Sequence, residues 1–161
     1  MMSVEIERKF LVSNDSWRKD VEKRILFRQG YMRNENHATI RIRIAGDRAY
    51  LTLKAPRDES GLERLEFEYP IPVPDAGAML DAVCEKPLIE KYRNFLPAGD
   101  GLMWEIDEFL GDNAGLTVAE LELPEKDTPF NRPDWLGLEV TGDPRYFNAM
   151  LTKHPYCQWQ T

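Results

Sequence analysis

Glu5, Glu7 and Lys9 stand at alternate positions near the start of the chain, and charged pairs with the same spacing of two recur along it. Arg41 and Arg43 come next, then Lys54, Glu66 with Glu68, Lys91 with Arg93, Glu105 with Asp107, and Glu120 with Glu122. In an extended strand alternate side chains share a face, so each like-charged pair would sit side by side and repel. An ion of opposite sign between the two members removes that repulsion: a cation for the carboxylate pairs, an anion for the Arg and Lys pairs. Carboxylate oxygens are hard ligands that select Mg²⁺ or Mn²⁺ over softer metals. A chain with only two histidines and two cysteines agrees with that choice.

The elements that must carry these pairs are mostly strands. Short runs with period-two alternation, broken by glycine, proline and asparagine, predict strands over Val4–Val12, Ile25–Arg33, Thr39–Ile44, Ala49–Lys54, Glu63–Ile71, Leu88–Leu96, Leu102–Phe109 and Leu116–Leu123, with a short extra one at Leu138–Thr141. Turn signals at Ala45–Arg48, Pro97–Gly101 and Gly111–Gly115 join neighbours as hairpins. Two helices are readable, one following Pro74-Asp75 and one from Asp143-Pro144 through Phe147, Met150 and Leu151, with a helical turn after Asn14-Asp15. Pro124–Asp134 reads as a long loop. No linker or repeat divides the chain, so residues 1–161 are expected to form one domain, mainly β.

Opposite each charged face lies an apolar one: Val4, Ile6 and Phe10 behind Glu5, Glu7 and Lys9; Ile40, Ile42 and Ile44 behind the arginines; Leu121 and Leu123 behind Glu120 and Glu122. An antiparallel sheet with one face in water gives the same alternation. A closed barrel with the charges inside and helices over its apolar outside gives it too. In the barrel reading Lys9, Arg41, Arg43, Lys54, Lys91 and Arg93 face eight carboxylates, a formal balance of −2 that two divalent cations turn to +2. Such a lining could take a polyphosphate chain that no apolar cavity would accept.

Composition bounds the alternatives. The chain is 42% hydrophobic, enough for a core that buries roughly 68–70% of the unfolded surface, and its net charge of −7 disfavours nonspecific DNA binding or a polybasic membrane surface. The two cysteines are far apart and lack metal-site spacing, which fits a reducing compartment. The charged opening Met1–Lys9 lacks the apolar stretch of a secretory signal, and no run reaches the ~20 apolar residues of a membrane span. A cytoplasmic protein is expected, with neither nucleic acid nor membrane as partner. P-loop, dinucleotide-binding and zincin motifs are absent from the sequence.

Glu5-Ile6-Glu7-Arg8-Lys9 resembles the ExExK strand of the CYTH, or triphosphate tunnel metalloenzyme, superfamily. Arg41-Ile42-Arg43, Leu53-Lys54, Arg64-Leu65-Glu66-Phe67-Glu68, Lys91-Tyr92-Arg93, Asp107 and Glu120-Leu121-Glu122 follow in that family's order. The resemblance implies a closed eight-stranded antiparallel barrel with a few flanking helices, acting on triphosphates with divalent metal, two Mg²⁺ or Mn²⁺ ions per active site. It implies metal ligands at Glu5, Glu7, Asp107, Glu120 and Glu122, catalytic roles for Glu5, Glu7 and Lys9, and phosphate contacts from Lys9, Arg41, Arg43, Lys54, Lys91 and Arg93. Phosphoryl transfer asks for this kind of positioning and charge stabilisation whatever the fold.

Arg64, Glu66, Glu68, Glu105 and Tyr31 are further candidates on parity, each with a structural role as the plainer reading. Glu139 reads equally as a salt-bridge residue, and His37 and His154 are expected to face solvent. Among substrates, the absence of a base-reading insertion favours inorganic tripolyphosphate. Thiamine triphosphate and cyclisation of ATP by a class IV-type adenylate cyclase are the enzymatic alternatives. A polyphosphate- or nucleotide-binding module without turnover is the non-enzymatic one. The pattern leaves room for a homodimer.

Overall fold

The structure is a computed structural model that describes residues 2–33, 38–57, 59–60 and 62–159; His37 lies outside them. Nine strands follow one another: β1 (Met2–Val12), β2 (Lys23–Met32), β3 (Thr39–Ala45), β4 (Arg48–Pro56), β5 (Glu63–Ile71), β6 (Ile89–Gly99), β7 (Leu102–Phe109), β8 (Thr117–Glu122) and β9 (Leu136–Glu139). Two α-helices, α1 (Val73–Ala82) and α2 (Asn148–Lys153), join them, with short 3₁₀ turns such as Ser16–Asp20 after Asn14-Asp15.

The strands run β5-β4-β3-β2-β6-β7-β8-β1 with every pairing antiparallel, and β1 also pairs with β5, so eight strands close on themselves. Closure abolishes the free edges of the sheet and puts one of its two faces indoors. The short strand β9 takes over the edge of β1 where β5 leaves it: β5 pairs with Met2–Ile6 and β9 with Phe10 and Val12. The three expected tight connections are hairpins: β3–β4, β6–β7 and β7–β8.

The indoor face is the charged one, which removes the solvated-sheet reading. Outside, Phe10, Trp17, Leu96, Trp104, Ile106, Leu121 and Trp135 form one buried cluster. Trp104 meets Trp135 edge-on at 5.1 Å and Phe10 at 5.8 Å, the geometry aromatic quadrupoles prefer. Trp135 is thus core, and Trp159 packs on Tyr146 and Tyr156 at the other end of the chain. Over β3 and β4 the cover is α1, whose Ala76 and Leu80 pack on Ile42 and Ala49. Gly30 lets the chain after α1 lie flat on β2: a Cβ there would come within 2.8 Å of Cys84 and Leu88.

Two expectations need correction. Helices do not cover the whole apolar outside; a 3₁₀ turn and the segment around Phe130 and Trp135 cover the β6–β8 side, while Leu65 and Phe67 of β5 stay half-buried and Tyr69 exposed. The helix expected from Asp143-Pro144 is also broken. A 3₁₀ turn at Pro144–Tyr146, capped by the Asp143 carboxylate on the Arg145 N–H, ends at an extended Phe147, and α2 starts only at Asn148. The break turns the Phe147 ring toward Lys9 and Arg64, with centroids at 5.6 and 5.1 Å.

Inside the barrel the charges occupy one part only. Tyr31, Ile89, Phe109 and Val118 join Val140, Tyr146 and Leu151 from the C-terminal segment in a second buried cluster. The C-terminal segment therefore packs into an apolar part of the interior beside the charged one. Among the described residues no helix is long and apolar enough to cross a membrane.

Candidate active site

The charged interior is a cavity of about 270 Å³ lined by seven acidic and seven basic side chains. Its acids are Glu5 and Glu7 of β1, Glu66 and Glu68 of β5, Glu105 of β7, and Glu120 and Glu122 of β8. Its bases are Lys9 of β1, Arg41 and Arg43 of β3, Lys54 of β4, Arg64 of β5, and Lys91 and Arg93 of β6. The lining is therefore balanced, unlike the −2 read from the sequence, because Arg64 belongs to it and Asp107 stands behind it.

Strand register sorts the charges. Glu7 of β1 is directly opposite Glu122 of β8, and Glu120 of β8 directly opposite Glu105 of β7. Like charges across a strand pair are destabilising, so β1, β8 and β7 make an acidic wall that costs energy unless cations enter it. Lys9, opposite Glu120 with its Nζ 3.7 Å away, is the one lysine set into that wall's register. On the other side Arg41 and Arg43 of β3 lie next to β2 and β4, and Lys91 and Arg93 of β6 flank β2 from its far edge.

The electrostatics follow from this sorting. Burial, with Glu120 and Glu5 nearby, holds the Glu7 carboxyl well above the ordinary range. Burial with Glu5, Glu105 and Glu66 pushes Glu122 up to about 7. Burial also pushes Glu120 upward, but Lys9, Arg93 and Lys91 outweigh it and hold that carboxyl well below the ordinary range. Glu5 is held low against its burial by Lys54, whose Nζ donates to both its oxygens at 2.9 Å. The carboxyls held up are Glu7, Glu122 and Glu66, where burial and neighbouring carboxylates outweigh the nearby lysines.

Asp107 is fully buried. One oxygen accepts from Arg93 Nε at 2.7 Å; the other accepts from Arg93 Nη2 at 2.8 Å and lies 2.7 Å from Lys91 Nζ. Both bases thus stand on a common counter-ion. Lys91 is also fully buried, and burial, reinforced by Arg93 and Arg43 against the pull of Asp107, lowers its ammonium pKa to about 7.

Arg41 is 8% exposed, and its Nε is buried without an acceptor among the described residues. Its Nη2 reaches Thr52 Oγ1 at 3.3 Å and Glu68 at 3.8 Å. Lys54 lies 3.4 Å from Glu66, and Arg93 lies 3.3 Å from Glu105. Glu66 and Glu105 thus balance neighbouring cations, the plainer of their two expected roles, while still lining the cavity.

Tyr31 lines the cavity as well as packing in the apolar cluster, its hydroxyl accepting from Gln29 at 2.8 Å. Glu139 is on the outside, paired through both oxygens with Arg8 at 2.6 and 2.8 Å. His154 is exposed. Sequence parity did not single out Gln29, Thr39, Phe147, Asn148 or Ala149, although all but Gln29 appear in the lining and Gln29 bonds to it. Thr39 shares the parity of Arg41 and could have been found that way. Asn148 carries no such signal, since it reaches the cavity only through the break at Phe147.

Among the described residues no three acidic side chains already converge as a ready-made metal-ligand set. The donor set is nonetheless of the right kind: oxygen only, acid-rich on one wall, and short of positive charge at Glu7 and Glu122.

A family model described as the CYTH domain matches residues 3–152. A protein of Acetivibrio thermocellus named inorganic triphosphatase is 49% identical over 155 residues, covering 96% of this chain and 97% of that one. A Nitrosomonas europaea protein of the same name is 36% identical over 150 residues, covering 91% and 95%. A solved structure of an inorganic triphosphatase superposes with a TM-score of 0.65 at 34% identity, over 92% of this chain and 93% of the other.

Proposed function

The chain belongs to the CYTH domain family, and from that premise we propose that it hydrolyses inorganic tripolyphosphate to pyrophosphate and orthophosphate with a divalent cation. The observation that carries this reading is the buried Arg41 Nε, a charged donor with no acceptor among the described residues. A buried donor without a partner costs about 1–3 kcal/mol, more for a charged group, and a phosphate oxygen in the cavity would satisfy it. Two relatives named inorganic triphosphatase that span nearly the whole chain support the same substrate.

In this reading Lys9, Arg41, Arg43, Lys54, Lys91 and Arg93 bind phosphate oxygens and stabilise the charge that shifts to the leaving pyrophosphate. Glu5, Glu7, Glu120 and Glu122 would hold Mg²⁺ or Mn²⁺, at two sites if both acidic strands are used. Such a cation supplies charge neutralisation and a more acidic water. Asp107, expected from the family pattern to be a further ligand, can serve from its present position as the shared counter-ion of Lys91 and Arg93.

The test is to incubate the purified protein with tripolyphosphate, thiamine triphosphate or ATP, each with Mg²⁺, Mn²⁺ or chelator, and to identify the products. Orthophosphate and pyrophosphate from tripolyphosphate, abolished by chelator, are expected. No metal-dependent release from any of the three would overturn the reading, and cyclic AMP with pyrophosphate would replace it by a cyclase.

A further inference from the structure

The hydrogen-bond donors around Asn148 fix which way its amide must face. Arg43 Nε can only donate, and it does so to Gln29 Oε1 at 2.7 Å. That bond turns the Gln29 amide nitrogen the other way, where it donates to Tyr31 Oη at 2.8 Å and to Asn148 Oδ1 at 3.3 Å. Lys91 Nζ donates to the same Asn148 Oδ1 at 2.8 Å. Arg43 fixes the Gln29 amide, and the Gln29 amide nitrogen in turn fixes that of Asn148, so the amide orientations, ordinarily open to a flip, are determined. Asn148 therefore spends its carbonyl on Lys91 and Gln29 and keeps its two amide N–H bonds.

Among the described residues no protein acceptor takes those N–H bonds. Asn148 lines the cavity, as do Lys91 and Arg43, which offer only donors, and Phe147, which offers a ring. An anionic oxygen entering the cavity beside Lys91 would take those N–H bonds.

We propose that Asn148 is a substrate-binding residue: its amide nitrogen donates to a phosphoryl oxygen of the bound chain beside Lys91. The proposal rests on tripolyphosphate being the substrate. It gives the C-terminal segment a direct part in recognition: α2 is held by Leu151 and Tyr146 in the apolar interior and delivers a neutral amide donor beside the charged side chains of the barrel strands.

The alternative, that Asn148 merely positions Lys91, makes the opposite forecast for Asn148→Asp. That change keeps an oxygen for Lys91 and Gln29 but aims a second oxygen, without a hydrogen, at the substrate. Steady-state kinetics with tripolyphosphate and Mg²⁺ should give a KM raised about ten- to hundredfold, worse than Asn148→Ala, with a ligand-free melting temperature no lower than that of Asn148→Ala. A KM for Asn148→Asp equal to or below that of Asn148→Ala would overturn the proposal.

If Asn148→Asp does not fold, Asn148→Ala is compared alone and in a Lys91→Met background. Direct binding predicts a separate loss in each, and an Asn148→Ala effect that vanishes once Lys91 is gone would leave only positioning. Wild-type protein that neither binds nor hydrolyses tripolyphosphate would instead remove the functional reading beneath the proposal.

Discussion

Asp107 Oδ2 lies 2.7 Å from Lys91 Nζ, and neither side chain is exposed at all. The same carboxylate takes two bonds from Arg93, so one buried anion supports two of the cations that face the cavity. Asp107→Asn keeps the shape and removes the charge, which leaves Lys91 and Arg93 buried with their main counter-ion gone. Breaking a buried pair in this way costs about 3–5 kcal/mol. A urea titration should register a loss of that order, and turnover of tripolyphosphate should fall with it. Unchanged stability would mean that Glu120 and Glu105 suffice as counter-ions.

The ion pair on the outer face should behave differently. Arg8 and Glu139 are joined at 2.6 Å but both keep substantial exposure, and such pairs are worth about 0–1 kcal/mol. Glu139→Gln is expected to cost no more than that in the same titration. A loss equal to that of Asp107→Asn would show that β9 is pinned mainly through this carboxylate.

Glu122 should make ligand-free stability depend on pH. Its folded-state pKa of about 7 lies above that of an unfolded glutamate, so the folded state holds the extra proton. The stability it contributes is fully present below the unfolded value and is lost as pH rises through 7. In chelator, Glu122→Gln should therefore gain melting temperature over wild type at about pH 8 and little or nothing at about pH 4. An equal difference at both would contradict the assignment.

Trp104 anchors the outer core, touching Phe10, Phe130 and Trp135 with its ring. Trp104→Ala is expected to lose about 3–5 kcal/mol, measured by denaturant unfolding. A loss below about 1 kcal/mol would mean the neighbouring rings collapse into the space.

Much of this architecture is legible in the sequence because a strand has a strict period. Once Glu5, Glu7 and Lys9 share a face, closure of the sheet decides only whether that face is wet or enclosed, and the alternation elsewhere follows. Strand limits such as Glu63–Ile71 and Leu102–Phe109 agree with the sequence reading for this reason. Parity carries no information about depth: it gives Asp107 the same face as Glu105 yet does not say that Asp107 is buried behind Lys91 and Arg93. It is also silent outside strands, so the break at Phe147 and the arrival of Asn148 beside Lys91 have no counterpart in the pattern. Those depend on how the C-terminal segment packs on Tyr31, Ile89 and Phe109.

The central claim is that the acidic wall and the basic wall act together on one phosphate chain. Orthophosphate release from tripolyphosphate by Glu120→Gln and by Lys9→Ala, assayed beside wild type in Mg²⁺ and in chelator with circular dichroism on each variant, tests it most directly. Both variants should keep the barrel and lose turnover, and wild type should lose it in chelator. Folded variants that release phosphate at the wild-type rate would contradict the claim.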